Sequence, residues 1–166
     1  MRTPFLAAAV ACTAAAVTPA SAHDIVRRGG PTFPISTSVS VPAGSELVFL
    51  SGTLADVADT LAPANSIERF GDTATQTKSI LGKIAKELDS VGLGMADVVK
   101  MNVFLVGDPR KGGAMDFEGL MHGYLQHFGT AAQKNLPART TVQVAGLPVP
   151  GALVEIEVVA AHAADH

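Results

Sequence analysis

The C-terminal stretch Arg139-Thr-Thr-Val-Gln-Val-Ala-Gly-Leu-Pro-Val-Pro-Gly-Ala-Leu-Val-Glu-Ile-Glu-Val-Val-Ala160 decides the fold. Thr140–Leu147 and Leu153–Ala161 alternate apolar and polar residues, the mark of strands whose side chains point to opposite faces in turn. The Pro- and Gly-rich segment Leu147–Ala152 between them reads as a turn. On this pattern Val142, Val144, Val154, Ile156 and Val158 face an apolar layer. Arg139, Thr141, Gln143, Glu155 and Glu157 project from the other face. With the turn centred near Pro150, Arg139 and Glu155 lie about 20 Å apart along one hairpin, at roughly 3.3 Å per residue. Such a pair shares a small-molecule site only across a subunit boundary or through a bulged register.

Working upstream, Thr73–Val91 carries Ile80, Ile84, Leu88 and Val91 at helical spacing and ends at Gly92 and Gly94. Val98–Val106 is an apolar, β-branched run that reads as a buried strand, broken by Asp108-Pro109. Met115–Phe128 reads as a second helix with Phe117, Leu120, Tyr124 and Phe128 on one side, stopped by Gly129. Ser38–Val41 and Glu46–Ser51 read as two short strands around Pro42-Ala-Gly44, after an extended lead-in from His23 to Ser36. Leu54–Asn65 reads as a loop. The order is β-β-α-β-α-β-β, an α+β domain with a mixed sheet and two helices on one face. The helix-free face, with its guanidinium, hydroxyl, amide and two carboxylates, is then either solvated or a polar cleft closed by another subunit. Spacing alone leaves both open. An arginine fork suits a carboxylate ligand, and a nearby carboxylate can hold and deprotonate a water.

The first 22 residues follow another logic. Arg2, the apolar run Phe5–Val17 and the small residues Ala20-Ser-Ala22 have the layout of a secretory signal peptide, with His23 as the new N-terminus. An uncleaved anchor is the competing reading, but the run is short for a bilayer span. Cleavage leaves 144 of the 166 residues as a single domain, 23–166, in the periplasm or outside the cell. The only cysteine, Cys12, leaves with the leader, so no disulfide or thiol chemistry is expected. Loss of Arg2 leaves 11 basic against 15 acidic residues, a formal −4, which suggests neither a nucleic-acid nor a membrane surface. Histidines give no convincing metal set: His122 and His127 are five apart, and His162 and His166 lie in the tail without a firm third ligand. Ser51-Gly-Thr53 lacks the preceding glycine of a nucleophile elbow, and no phosphate loop is present.

Leu136-Pro-Ala-Arg-Thr-Thr-Val-Gln-Val-Ala-Gly-Leu-Pro148 followed by Val154-Glu-Ile-Glu-Val-Val-Ala160 resembles the C-terminal signature of the RidA/YjgF family. Phe49-Leu-Ser-Gly52, Val91-Gly-Leu93, Asp97–Leu105 and the spacing of Asp116-Phe117 to Tyr124 agree with it, so the resemblance covers about Phe33 to Ala161. It implies a chorismate-mutase-like fold, a homotrimer with clefts between subunits, no cofactor, and hydrolysis of enamines or imines such as 2-aminoacrylate to 2-keto acids and ammonia. It matches Arg139 to the arginine that grips the substrate carboxylate and Glu155 to the glutamate that orients the water. Gly52 matches the strand-end glycine of the cleft, and Thr141 falls where many members carry cysteine or serine. Two positions depart from the pattern. Ile35 stands where a tyrosine follows the proline, and Met121 stands where the second helix usually offers asparagine. Both make the cleft more apolar, which favours either a bulkier substrate or a trimer that binds a small carboxylate or partner without catalysis.

Overall fold

The computed structural model describes residues 24–29 and 32–163, so the leader read at 1–22 lies outside the described residues. Its elements run β1 (Val26–Arg28), β2 (Ser38–Ser40), β3 (Glu46–Leu54), α1 (Ile67–Phe70), α2 (Thr73–Ser90), β4 (Val98–Val106), α3 (Phe117–Tyr124), β5 (Ala138–Val144) and β6 (Val154–His162). The main sheet is mixed, in the order β3-β6-β4-β5, with α2 and α3 packed on one face. The lead-in contains a strand that the sequence reading passed over. β1 pairs antiparallel with β2, so Ser38–Ser40 belongs to a separate two-stranded ribbon and not to the sheet that holds β3.

The helices form where their caps and apolar faces say they should. Asp72 accepts from Thr75 N at 2.8 Å and opens α2, whose Ile80, Leu81, Ile84 and Leu88 are buried. Asp116 accepts from Gly119 N at 3.0 Å and opens α3. This helix stops at Tyr124, short of the expected Phe128. The chain continues as turns, and Phe128 still stacks on Tyr124 with ring centroids 4.9 Å apart. The two helices touch closely at Gly123, where a Cβ would lie 2.6 Å from Cβ of Thr77.

β4 is the spine of the sheet. Val98, Met101, Val103 and Leu105 are buried under the helices, while Lys100, Asn102 and Phe104 face away. Each fully buried aliphatic of this kind contributes about 1.5–3 kcal/mol.

The last two strands depart from the expected hairpin. β5 runs parallel to β4 at the edge of the sheet, and β6 lies on the other side of β4, antiparallel to it. The connection 145–153 is therefore a crossing and not a tight turn. It is tied down by Gln76, fully buried on α2, which donates to Gly151 O at 3.2 Å and accepts from Leu153 N at 2.8 Å. Gly151, with φ +88°, lies against the Ser66 carbonyl, where a side chain would not fit.

The register also overturns half of the expected face assignment. Met101 pairs with Arg139, Val103 with Thr141 and Leu105 with Gln143, so these three polar residues share the helix side with the buried residues of β4. Val142 faces away and is 41% exposed. Glu155 and Glu157 pair with Phe104 and Asn102 and do lie on the helix-free face, as expected. The reason is edge position. β5 has one neighbour and only partial cover from α3, so burial does not impose apolar residues on its helix side.

Candidate functional site

Arg139 projects from β5 beneath α3 into a box of aromatic rings. Its Cζ lies 4.4 Å from the Tyr124 ring centroid, 5.7 Å from Phe33 and 5.8 Å from Phe117. Phe33 and Phe117 stack on each other at 6.2 Å with an interplanar angle of 8°. A guanidinium over ring faces gains about 0.5–2 kcal/mol per favourable contact. Tyr124 is held in place because its hydroxyl donates to Pro34 O at 2.8 Å. Burial pushes the Tyr124 pKa up to about 12, an effect opposed by the positive charge of Arg139. Burial likewise lowers the Arg139 pKa from its ordinary value, and Tyr124 works against that shift.

The polar contacts of Arg139 are unusually poor for a buried charge. Nη2 donates to the Met121 thioether at 3.3 Å, a weak acceptor, and Nη1 is buried with no partner. Thr141 Oγ1, two residues along the same strand and on the same face, is also buried without a partner. Buried charged donors are normally paired, and leaving one unpaired costs more than about 1–3 kcal/mol. Two such groups side by side mark a place that a carboxylate would satisfy.

Glu155 and Gly52 form a second cluster. The β3–β6 pairing shifts between Leu50 and Thr53, so Ser51 and Gly52 form a bulge. Glu155 packs directly over Gly52, and any Cβ there would collide with its carboxylate. Glycine is required by this approach and not by a positive φ. On the same face Asn102 donates to Glu157 at 2.7 Å, and Lys100 to Thr140 at 2.9 Å. Gln143 serves structure: it accepts from Met115 N at 2.8 Å and donates to Gly113 O at 3.0 Å, fastening the loop before α3.

The structure thus brings Arg139 together with Thr141 and Met121, and Glu155 together with Gly52. It does not join the two groups within one chain. They lie three residues apart along β4 and on strands flanking it, roughly 14 Å by strand geometry, on opposite sheet faces. Ile35 is half-buried against the core and lines a small hollow with Arg27 and Lys134; it follows Pro34, whose carbonyl accepts from Tyr124, and precedes Ser36, which bridges to Ala138 beside Arg139. Phe33, Phe117 and Tyr124 were not singled out from the sequence as site residues. Phe117 and Tyr124, seven apart on one helix face, carried a signal that core packing explained equally well, and Phe33 carried none.

The pattern of the endoribonuclease L-PSP family matches residues 34–162. A 3-aminoacrylate deaminase, RutC, from Acinetobacter baylyi is 30% identical over 137 residues, covering 82% of this chain and 96% of that protein. A RutC family protein from Pyrococcus horikoshii is 33% identical over 90 residues, 54% of this chain and 63% of that protein. Among solved structures, a YjgF-family protein from Mycobacterium tuberculosis superposes with a TM-score of 0.50 at 27% identity, covering 82% of this chain and 97% of that one. An uncharacterized protein from Pseudomonas aeruginosa gives 0.53 at 25% identity, covering 83% and 98%. With a mixed sheet, two main helices and a family pattern spanning most of its length, the chain belongs to the RidA/YjgF family.

Proposed function

We propose that this protein is an imine deaminase that hydrolyses 2-imino acids, or their enamine tautomers, to 2-keto acids and ammonia in a cleft between subunits. The observation that carries the reading is the boxed Arg139 with Nη1 unpaired beside the unpaired Thr141 hydroxyl. The fork holds the substrate carboxylate, and the rings hold the fork. Glu155 of a neighbouring subunit orients a water and accepts its proton as oxygen adds to the imine carbon. Glu155 returns that proton to the nitrogen, giving a carbinolamine, then takes the proton of its hydroxyl and passes it to the amino group as the C=O bond forms, the C–N bond breaks and ammonia leaves. No cofactor is needed for these steps. The net negative charge of the chain argues against a polyanionic ligand.

Association is supported by the helix-free face, where Phe49 is 72% exposed and Leu47 46%, close to Glu155 and Glu157. Apolar side chains exposed on a sheet face favour a docked partner, and we take that partner to be two further copies of this chain in a homotrimer. The leader points to export, so the mature protein acts in the periplasm or outside the cell.

A second reading, a trimer that binds a small carboxylate without turnover, is favoured by Met121, which places a thioether rather than an amide against Arg139. Ammonia release from a panel of enzymatically generated 2-imino acids separates the two. Release above the spontaneous rate supports the deaminase. Binding of a 2-keto acid with no acceleration on any imine supports the binding protein.

A further inference from the structure

We propose that Met121 is an oxidation site that controls Arg139: a sulfoxide formed there would capture the guanidinium and block carboxylate binding. This rests on the reading of Arg139 as the carboxylate anchor. Met121 lies on α3 with its sulfur 3.3 Å from Arg139 Nη2. The residue is half-buried and lines an open hollow of about 610 Å³ with Leu125, His122 and Asp72. A hydroperoxide can therefore reach it through this hollow, from the helix side of the sheet.

The chemistry balances without a further reactant. The Met121 sulfur attacks the terminal oxygen of hydrogen peroxide, the O–O bond breaks, and an S–O bond forms. The sulfur is oxidised by two electrons. The departing oxygen leaves as hydroxide and, with the proton released by the transferred oxygen, becomes water. A weak thioether acceptor thereby becomes a strongly polar sulfoxide oxygen beside a guanidinium already short of partners. Nη2 turns from a donor available to the ligand into one held by the protein. Losing one charge-assisted contact weakens ligand binding by about ten- to a hundredfold. The device is reversible, because methionine sulfoxide reductases restore the thioether.

Other methionines must be separated from this one. Met101 is fully buried, and Met95 and Met115 pack against the core. The test compares parent and Met121→Leu, each against its own untreated sample. Calorimetry measures 2-oxobutanoate binding before and after mild peroxide treatment and again after methionine sulfoxide reductase, with peptide mass spectrometry locating the added oxygen. Tyrosine emission gives a second readout, since Tyr124 is the single tyrosine, the chain has no tryptophan, and Arg139 lies on its ring. The expected result is at least about tenfold weaker binding by the oxidised parent. Its tyrosine emission should change, the reductase should reverse both effects, and Met121→Leu should show neither. Unchanged binding with Met121 oxidised overturns the proposal, as does an equal loss in Met121→Leu or resistance of Met121 to oxidation while other methionines react. Failure of the untreated parent to bind any 2-keto acid refutes the anchor itself, and this proposal falls with it.

Discussion

Replacing Arg139 with lysine keeps the charge and removes the geometry, so it isolates what the guanidinium does. An ammonium cannot present two parallel donors, and it cannot lie flat on Tyr124 as the guanidinium does at 4.4 Å. The first loss falls on the ligand. One charge-assisted hydrogen bond is worth about 1.5–3 kcal/mol, which is roughly a ten- to hundredfold rise in the Kd for a 2-keto acid. The second loss falls on folding and is bounded by the stacking contribution, about 0.5–2 kcal/mol. It is offset in part because the unpaired buried Nη1 is also removed. Calorimetry with 2-oxobutanoate, run beside thermal unfolding, reads the two losses separately. The expected outcome is a large affinity loss with a small change in Tm. If Arg139→Lys binds as tightly as the parent, the fork is not the anchor. If affinity falls only in step with a collapse in Tm, Arg139 is a core cation held by aromatic rings and not a ligand group.

Glu155→Gln, nearly isosteric over Gly52, should leave 2-keto acid affinity close to the parent while ammonia release falls by on the order of a hundredfold or more. Mixing Arg139→Met and Glu155→Gln subunits before reassembly should restore activity to about a quarter of the parent, because only clefts pairing an intact arginine with an intact glutamate work; no recovery would mean that the two groups do not cooperate across a subunit boundary. Light scattering on the mature protein should give three times the subunit mass, and a monomer at micromolar concentration would contradict the interfacial cleft. N-terminal sequencing of protein from the native host should begin at or near His23, whereas an intact Met1 in the cytoplasm would overturn export.

Elements governed by burial were legible in the sequence. Val98–Val106 was read with the bounds it has, because both of its edges are paired to neighbouring strands and one of its faces is covered by the helices. α2 was read to within one residue, since its apolar spacing and the glycines beyond it agree. The short strand at Val26–Arg28 had no apolar pattern to reveal it. It is held by Arg27, whose guanidinium donates to the carbonyls of Ala96, Val98 and Leu136 at 2.8–3.0 Å. Such a contact between side chain and distant backbone leaves no periodic trace.

The face taken by Arg139 and Thr141 was misread from the sequence, and the misreading has one cause. A hairpin between β5 and β6 was the simplest topology consistent with two adjacent alternating strands, and alternation then assigned both polar sets to one face. Insertion of β4 between them breaks that inference, because each strand takes its facing from the register with β4 and not from its sequence neighbour. The same register strengthens the case for a shared site between chains. A side chain on a strand cannot change faces by rotating about its own bonds, since facing is set by the pleat. Arg139 on the helix side of an edge strand and Glu155 on the opposite face therefore cannot be brought together by any small adjustment within one subunit. Either the two never cooperate, or a second copy presents its Glu155 face to the β5 edge of the first, and the mixed-subunit experiment decides between these.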